Sequence, residues 1–223
     1  MNQETLQTAI AYQFKRAKLL DQALTHRSFS RSINNERLEL LGDSVLNLVI
    51  SRFIYQRQPD ANEGELSRIR ASLVNEASLA QVARDINLGE YIHLGGGEMK
   101  SGGFRRASIL SDTMEAIFGA IYLDSGFSQA QQTILFLYDE YIQTSPDTET
   151  LKDSKTRLQE YLQAQKIDLP EYNVVKTVGK SHDQTFTVTC SIDALKLQTD
   201  GKGSSRKKAE QSAAEKAFRQ LKR

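Results

Sequence analysis

The stretch Asn35-Glu36-Arg37-Leu38-Glu39-Leu40-Leu41-Gly42-Asp43-Ser44-Val45-Leu46 decides how the first part of the chain is read. It opens a long, proline-free apolar segment, which predicts a helix from Arg37 to Gln56. Glu36, Glu39 and Asp43 stand at i, i+3 and i+7, so one face of that helix carries three carboxylates. Leu38, Leu40, Leu41, Val45, Leu46, Leu48 and Val49 fill nearly every other direction, the pattern of a buried helix. Like charges on one face repel, and burial makes each costlier, so such a stripe calls for cations beside it.

Working outward, Ser111-Asp112-Thr113-Met114-Glu115-Ala116-Ile117-Phe118-Gly119 repeats the theme, with Asp112 and Glu115 at i, i+3 on a helix predicted over Ile109 to Leu123. Ala116 and Gly119 on this helix, and Gly42 on the other, are small enough for close backbone approach. Packed there, the two helices would bring Glu39, Asp43, Asp112 and Glu115 towards one point. Two readings fit that expectation. An oxygen-only donor set suits Mg²⁺ or Mn²⁺, two of which can drive phosphodiester hydrolysis. Alternatively the carboxylates pair with Arg37, Arg68, Arg70 or Arg105.

Other chemistries lack residues. The chain has three histidines and one cysteine in 223 residues, too few for a zinc ligand set. His26 is a candidate ligand or acid–base group, or a hydrogen-bonded histidine that supports the fold. No Gly-x-Ser-x-Gly elbow marks a serine hydrolase. The glycine-rich stretch between Leu88 and Ser108 fits no nucleotide fingerprint, so no nucleotide cofactor is expected. No apolar run approaches membrane-spanning length, and Met1-Asn2-Gln3-Glu4-Thr5 does not begin a signal peptide. A lone cysteine points to a reducing, cytoplasmic setting.

Charge divides the chain. Residues 1–150 carry 14 basic and 19 acidic side chains, a net −5, and residues 151–223 carry 15 and 9, a net +6. The polar segment Thr144-Ser145-Pro146-Asp147-Thr148-Glu149-Thr150 reads as a linker. This predicts a domain at 1–143, a linker at 144–152 and a second domain at 153–223. The first domain is read as all-α, with further helices over Gly64 to Ile86 and Gln129 to Ile142. In the second, Ser154 to Lys166 is helical, and Phe186, Val188, Cys190 and Ile192 alternate with polar residues as in a half-buried strand. Weaker strands are predicted at Tyr172 to Val178 and Leu195 to Thr199, and a helix at Ser205 to Leu221. The order is α-β-β-β-α, a small α+β domain. Gly201-Lys202-Gly203-Ser204-Ser205-Arg206-Lys207-Lys208 puts cations at a helix start, where repulsion by the helix dipole favours a bound anion. That layout is the one double-stranded RNA-binding domains use to reach two minor grooves and the phosphates between them.

With these blocks in hand, the chain resembles the bacterial ribonuclease III family. The likeness rests on the Asn35–Leu46 stretch and on Ala23-Leu24-Thr25-His26-Arg27-Ser28. It continues through Lys100-Ser101-Gly102-Gly103-Phe104-Arg105-Arg106 and Ile109-Leu110-Ser111-Asp112-Thr113-Met114-Glu115-Ala116. Lys155 to Gln163 and Gly203 to Glu210 match the RNA-binding domain. The resemblance implies a homodimeric, Mg²⁺-dependent endoribonuclease of double-stranded RNA, acting in ribosomal, messenger and transfer RNA processing. It would leave 5′-phosphate and 3′-hydroxyl ends with a short 3′ overhang. By position, Glu39, Asp112 and Glu115 match metal ligands, and Asp43 and Glu115 match catalytic residues. Glu36, Glu63 and Glu98 match further acids of the family. Thr156, Gln159, Gln163 and His182 match minor-groove contacts, and Arg206, Lys207 and Lys208 match phosphate binders. Three positions depart from the family pattern: Leu40 stands for a usual Phe, Ser111 for Ala, and Ala107 for a frequent Glu. A non-catalytic RNA-binding dimer, a small-molecule phosphohydrolase and a purely structural helical protein are the alternatives.

Overall fold

The long apolar segment behind Asn35 forms one helix, Glu36–Arg57, because nothing in it breaks the hydrogen-bond ladder before Gln58. A computed structural model places it within the first of two compact units, Met1–Pro146 and Asp147–Arg223. The structure describes residues 3–143, 153–179 and 184–222, so the expected linker at 144–152 lies outside the described residues.

The described part of the first unit is helical throughout: α1 (Gln3–Ala9), α2 (Ala17–Ala23), α3 (Glu36–Arg57), α4 (Glu63–Val74), α5 (Glu76–Asp85), α6 (Gly96–Lys100), α7 (Ala107–Leu137) and α8 (Asp139–Gln143). One open choice and two differences from the sequence expectation have local causes. The segment from Gly64 to Ile86, which the sequence allows as a pair or as one long helix, is two helices, because Asn75 leaves the helical conformation (φ −75°, ψ 160°). Its Oδ1 accepts the Ser78 N–H and its Nδ2 donates to the carbonyls of Ala71 and Ser72, so it ends one helix and caps the next. The helix expected at 109–123 is the first arm of α7, and the one expected at 129–142 is its second arm followed by α8; the arms divide at Gly126 (φ 82°, ψ 179°), a backbone conformation only glycine adopts readily. The glycine-rich stretch after Leu88 holds α6 and two short 3₁₀ turns rather than loop alone.

α7 passes through the middle of the unit. Met114, Ala116, Ile117, Phe118, Ala120 and Ile121 on it are essentially inaccessible to solvent. Burying each large apolar side chain is worth about 1.5–3 kcal/mol. The N-terminal segment is tied to α7 through Asp124, whose carboxylate accepts hydrogen bonds from Tyr12 Oη (2.6 Å), the Lys15 N–H (2.8 Å) and Arg16 Nε (3.0 Å). Burial alone would raise the Asp124 pKa, but these donors hold it below the ordinary carboxylate value. No helix among the described residues is long and apolar enough to cross a membrane.

The second unit has the order α9 (Ser154–Ala164), β1 (Glu171–Val178), β2 (Thr185–Ile192), β3 (Leu197–Gly203), α10 (Arg206–Leu221). The strands form one antiparallel sheet in the order β1-β2-β3, with a register shift between Val174 and Lys176. Alternation along β2 turns Val188, Cys190 and Ile192 inward, where Cys190 and Ile192 meet Leu158 and Leu162 of α9 and Ala213 and Ala217 of α10. Both helices therefore cover one face of the sheet.

Candidate metal centre and nucleic-acid interface

The carboxylates converge because α3 and α7 cross at glycines. A Cβ on Gly42 would lie 1.7 Å from the carbonyl oxygen of Glu115, and one on Gly119 would lie 2.2 Å from that of Leu38. Contact this close sets Glu39, on α3, opposite Asp112 and Glu115, on α7. One carboxylate oxygen from each of the three lies within 4.8 Å of the others. Asp43, expected at the same point, does not join this group. It is exposed one turn further along α3, and its Oδ1 accepts a hydrogen bond from Asn47 Nδ2 at 2.7 Å. Its charge still acts on Glu115.

Electrostatics distinguishes the two sequence readings. None of the three clustered carboxylates forms an ion pair among the described residues; the neighbouring pairs are Arg27–Glu36 (3.4 Å) and Arg106–Glu98 (3.0 Å). Burial, followed by the charges of Asp43, Asp112 and Glu39, pushes the Glu115 carboxyl up to about 8. Glu39 is raised by burial and then by Asp112 and other neighbours. Asp112 is raised mainly by burial, against a hydrogen bond from Ser111. Arg27 lowers Glu39 and Asp112 only in part, and both stay raised, so three partly desolvated carboxylates form a site whose remaining repulsion a hard cation would relieve. The donors are all oxygen and come from rigid helices, which fits a divalent metal ion.

Asp112 and Glu39 open into a cleft of about 880 Å³, also lined by Glu36, Glu98, Arg27 and Arg106. Its opposite wall is held by the 24–28 segment. Thr25 and His93 form a parallel bridge, the His26 N–H donates to the His93 carbonyl (3.1 Å), and the Gly95 N–H donates to Ser28 Oγ (3.0 Å). His26 Nδ1 lies 2.7 Å from Ser28 Oγ, so among its sequence readings the fold-supporting one describes its contacts. Glu63 stands at the start of α4, accepts a hydrogen bond from Ser67 (2.7 Å) and takes no part in the cluster. Sequence reasoning missed Glu76, at the start of α5, whose charge raises Asp112. It also missed Arg27 as a cleft residue. Neither stands out, because Glu76 reads as an ordinary acid in a first helical turn and Arg27 as one cation in a polar loop.

In the second unit, Thr156, Gln159 and Gln163 follow one another at i, i+3 and i+7 along α9, with both glutamines exposed. Asp153 caps this helix, its Oδ1 accepting the Thr156 N–H at 2.9 Å. Arg206, Lys207 and Lys208 are exposed in the first turn of α10, which Ser205 caps by accepting the Lys208 N–H at 3.2 Å. Thus one helix with an exposed amide row and one with a cationic start, both capped, belong to the same small unit. His182 lies outside the described residues.

Comparison with known proteins follows this division. A family model described as Ribonuclease-III-like matches residues 16–142, and one described as Double-stranded RNA binding motif matches residues 154–221. The chain is 54% identical to the Ribonuclease 3 of Hahella chejuensis, covering 96% of this chain and 95% of that protein. It is 52% identical to the Ribonuclease 3 of Alkalilimnicola ehrlichii over 98% of this chain and 95% of the relative. Among solved structures it is similar to the nuclease domain of ribonuclease III from Campylobacter jejuni, with a TM-score of 0.62 and 47% identity over 62% of this chain and 97% of that one. That Campylobacter jejuni domain shows structural flexibility in a region involved in dimer formation. With both units matched by family models and near-full-length relatives at about half identity, the chain belongs to the ribonuclease III family.

Proposed function

We propose that the chain is a homodimeric endoribonuclease that hydrolyses phosphodiester bonds in double-stranded RNA, with Mg²⁺ as its metal and Mn²⁺ as a substitute. The observation that carries this reading is the group of three carboxylates, Glu39, Asp112 and Glu115, drawn within 4.8 Å of one another, none of them in an ion pair among the described residues. These three would hold the metal, which when bound supplies charge stabilisation to the phosphoryl group and lowers the pKa of a water. Glu115 must lose its proton to serve, so cation binding and proton release are linked at this residue. Asp43, beside the cluster but open to solvent, would orient a water at its rim. Glu36 and Glu98 are each paired to an arginine, and these arginines, Arg27 and Arg106, line the cleft, where they would meet a passing phosphate backbone. Thr156, Gln159, Gln163 and His182 would read the minor groove, and Arg206, Lys207 and Lys208 the phosphates. The products would carry 5′-phosphate and 3′-hydroxyl ends. The single cysteine, buried and unpaired, suits a reducing cytoplasm.

The test is incubation of a long end-labelled RNA duplex with the chain, with Mg²⁺ and with chelator. Discrete duplex products in Mg²⁺ and none in chelator are expected. Binding without cleavage in either condition would favour the non-catalytic RNA-binding dimer.

The dimer has its own support. Leu40, Leu48 and Tyr55 on α3 are 74%, 56% and 72% exposed, although the sequence pattern predicts a helix buried all round. Their spacing keeps them within about 80° of one another around the helix axis. An apolar row of this kind marks a protein interface. Leu40→Asp is expected to shift the chain from dimer to monomer in sedimentation at micromolar concentration, a loss of at least about 100-fold in affinity for a charge buried at an interface. An unchanged sedimentation coefficient would remove α3 from the interface.

A further inference from the structure

The two helix starts of the second unit are tied by Glu210 and Gln211, and Glu210 is a charged side chain to which the RNA-binding reading gives no role. Glu210, in the second turn of α10, is 13% exposed at its side chain and divides its carboxylate between two cations. Its Oε2 accepts from Lys155 Nζ at 2.7 Å and its Oε1 from Arg206 Nε at 2.9 Å. Lys155 belongs to α9 and Arg206 to the first turn of α10, so the carboxylate bridges the two helices. Next to it, Gln211 Oε1 accepts the backbone N–H of Lys155 at 3.1 Å. The Lys155 ammonium also sits 4.3 Å from the centre of the Tyr172 ring, which leaves it little freedom.

The placement of Lys155 matters for the neighbouring row. Lys155, Leu158 and Leu162 lie at i, i+3 and i+7, and both leucines are fully buried. Thr156, Gln159 and Gln163 form the row rotated by one residue. Fixing Lys155 therefore fixes the azimuth at which the second row faces outward. On the other helix, the same carboxylate fixes the direction of the Arg206 guanidinium. Two contact sets, amides on α9 and cations on α10, are thereby held at one spacing.

A fixed spacing selects for duplex shape. Double-stranded RNA is recognised through A-form groove geometry and its 2′-hydroxyls rather than by sequence. A flexible cation follows any phosphate, whereas one held in place fits only a backbone that passes the right point. Holding it also removes an ordering cost that would otherwise be met on binding. We propose that Glu210 is a specificity-determining positioning residue: by bridging Lys155 and Arg206 it holds α9 and the start of α10 at a spacing matched to A-form duplex, and so disfavours B-form DNA. This rests on the RNA-binding reading of the second unit.

The experiment measures equilibrium binding of the full chain to an RNA duplex and a DNA duplex of the same sequence, in chelator so that nothing is cut, over a range of salt. Wild type is compared with Glu210→Gln, Lys155→Gln and, as a control acid on the same helix, Glu215→Gln. Glu210→Gln is expected to lower the RNA-to-DNA preference about fivefold or more, from the cost of ordering two long side chains. Lys155→Gln removes a cation yet is expected to lower the same preference, because it opens the same bridge from the other side. Glu215→Gln should leave it unchanged. A simple loss of negative charge would strengthen binding to both duplexes in Glu210→Gln, weaken it in Lys155→Gln, and leave both ratios at the wild-type value; that result overturns the proposal. If Glu210→Gln fails to fold, as judged by its thermal transition, Lys155→Gln decides alone. A wild-type chain that binds both duplexes equally overturns the RNA-binding reading and this inference with it.

Discussion

Glu115→Gln is expected to slow duplex cleavage at least about 10³-fold, the rate equivalent of roughly 4 kcal/mol of lost transition-state stabilisation at a metal centre. Affinity for duplex RNA should stay close to wild type, because the RNA contacts proposed for α9 and α10 belong to the other unit. The same substitution has a second, opposite consequence. In the metal-free fold the Glu115 carboxyl is pushed from 4.5 up to about 8, first by burial and then by Asp43, Asp112 and Glu39. Between those values the folded chain keeps a proton that the unfolded chain has lost, so stability falls as pH rises through that window. The full shift corresponds to roughly 4–5 kcal/mol, and screening at a partly exposed group reduces it to about 2 kcal/mol. Glu39 and Asp112, also raised, add to the same slope.

Thermal unfolding of the metal-free chain should therefore occur at a lower temperature near pH 8 than near pH 6. Both Glu115→Gln and a saturating divalent cation should flatten that dependence, one by removing the carboxylate and the other by neutralising it. Asp124 acts in a separate window: its lowered pKa gives stability that is lost only as pH falls into the acid range. Melting curves in chelator across pH 5 to about 9, for wild type and Glu115→Gln, isolate the Glu115 window, because that of Asp124 lies at lower pH. A Glu115→Gln chain that cleaves at the wild-type rate, or a wild-type chain whose metal-free stability does not fall above pH 6, would show that this carboxylate is not the desolvated centre of the cluster.

The carboxylate site is legible in sequence where its chemistry repeats on two helices, and less so where it depends on which way a side chain turns. Helical spacing groups Glu39, Asp112 and Glu115 together with the small residues Gly42 and Gly119, and the crossing at those glycines is what brings them together. Asp43 shares the i, i+3, i+7 face, but it stands one turn, about 6 Å, beyond Glu39 along the helix, and there its side chain is exposed. Glu76 and Arg27 approach the site from other parts of the chain, and nothing local marks them. Around Asn75 the sequence leaves a helix pair and one long helix both open, because leucines and valines keep the period on both sides while one asparagine does the breaking. β3 reads four residues short, ending at Thr199, because Asp200, Gly201, Lys202 and Gly203 offer no apolar alternation. There the glycines are needed instead, since a Cβ on Gly201 would meet the backbone of α10 at 2.2 Å. α1 and α2 are short, and their burial comes from packing that no periodicity of seven residues can announce.

Gly42→Ala tests the crossing itself. Gly42 and Gly119 lie within regular helix, so neither needs glycine for its backbone angles. On helix propensity alone, alanine at an interior position would stabilise the chain by about 1 kcal/mol. Space decides the other way. The added methyl would lie 1.7 Å from the Glu115 carbonyl oxygen, 2.5 Å from its carbon and 2.9 Å from the Gly119 nitrogen. All three are backbone atoms in the middle of the longest helix, so no side chain can turn aside; α3 and α7 must separate along their whole contact. Overpacking a core costs about 1–3 kcal/mol when side chains can adjust, and moving a helix pair should cost more, at least about 3 kcal/mol. Separation would also pull Glu39 away from Asp112 and Glu115, so the folded fraction should have lost metal-dependent cleavage. Gly97→Ala is the counterpart. It lies within α6 with nothing inside 4 Å of the added carbon, and there propensity should prevail with a gain of about 0.5–1 kcal/mol and intact cleavage. Chemical denaturation and duplex cleavage on both variants measure the two terms separately. A Gly42→Ala chain as stable and as active as wild type would mean that the helices do not meet at Gly42, and with that the common cause of the fold and the carboxylate cluster would be lost.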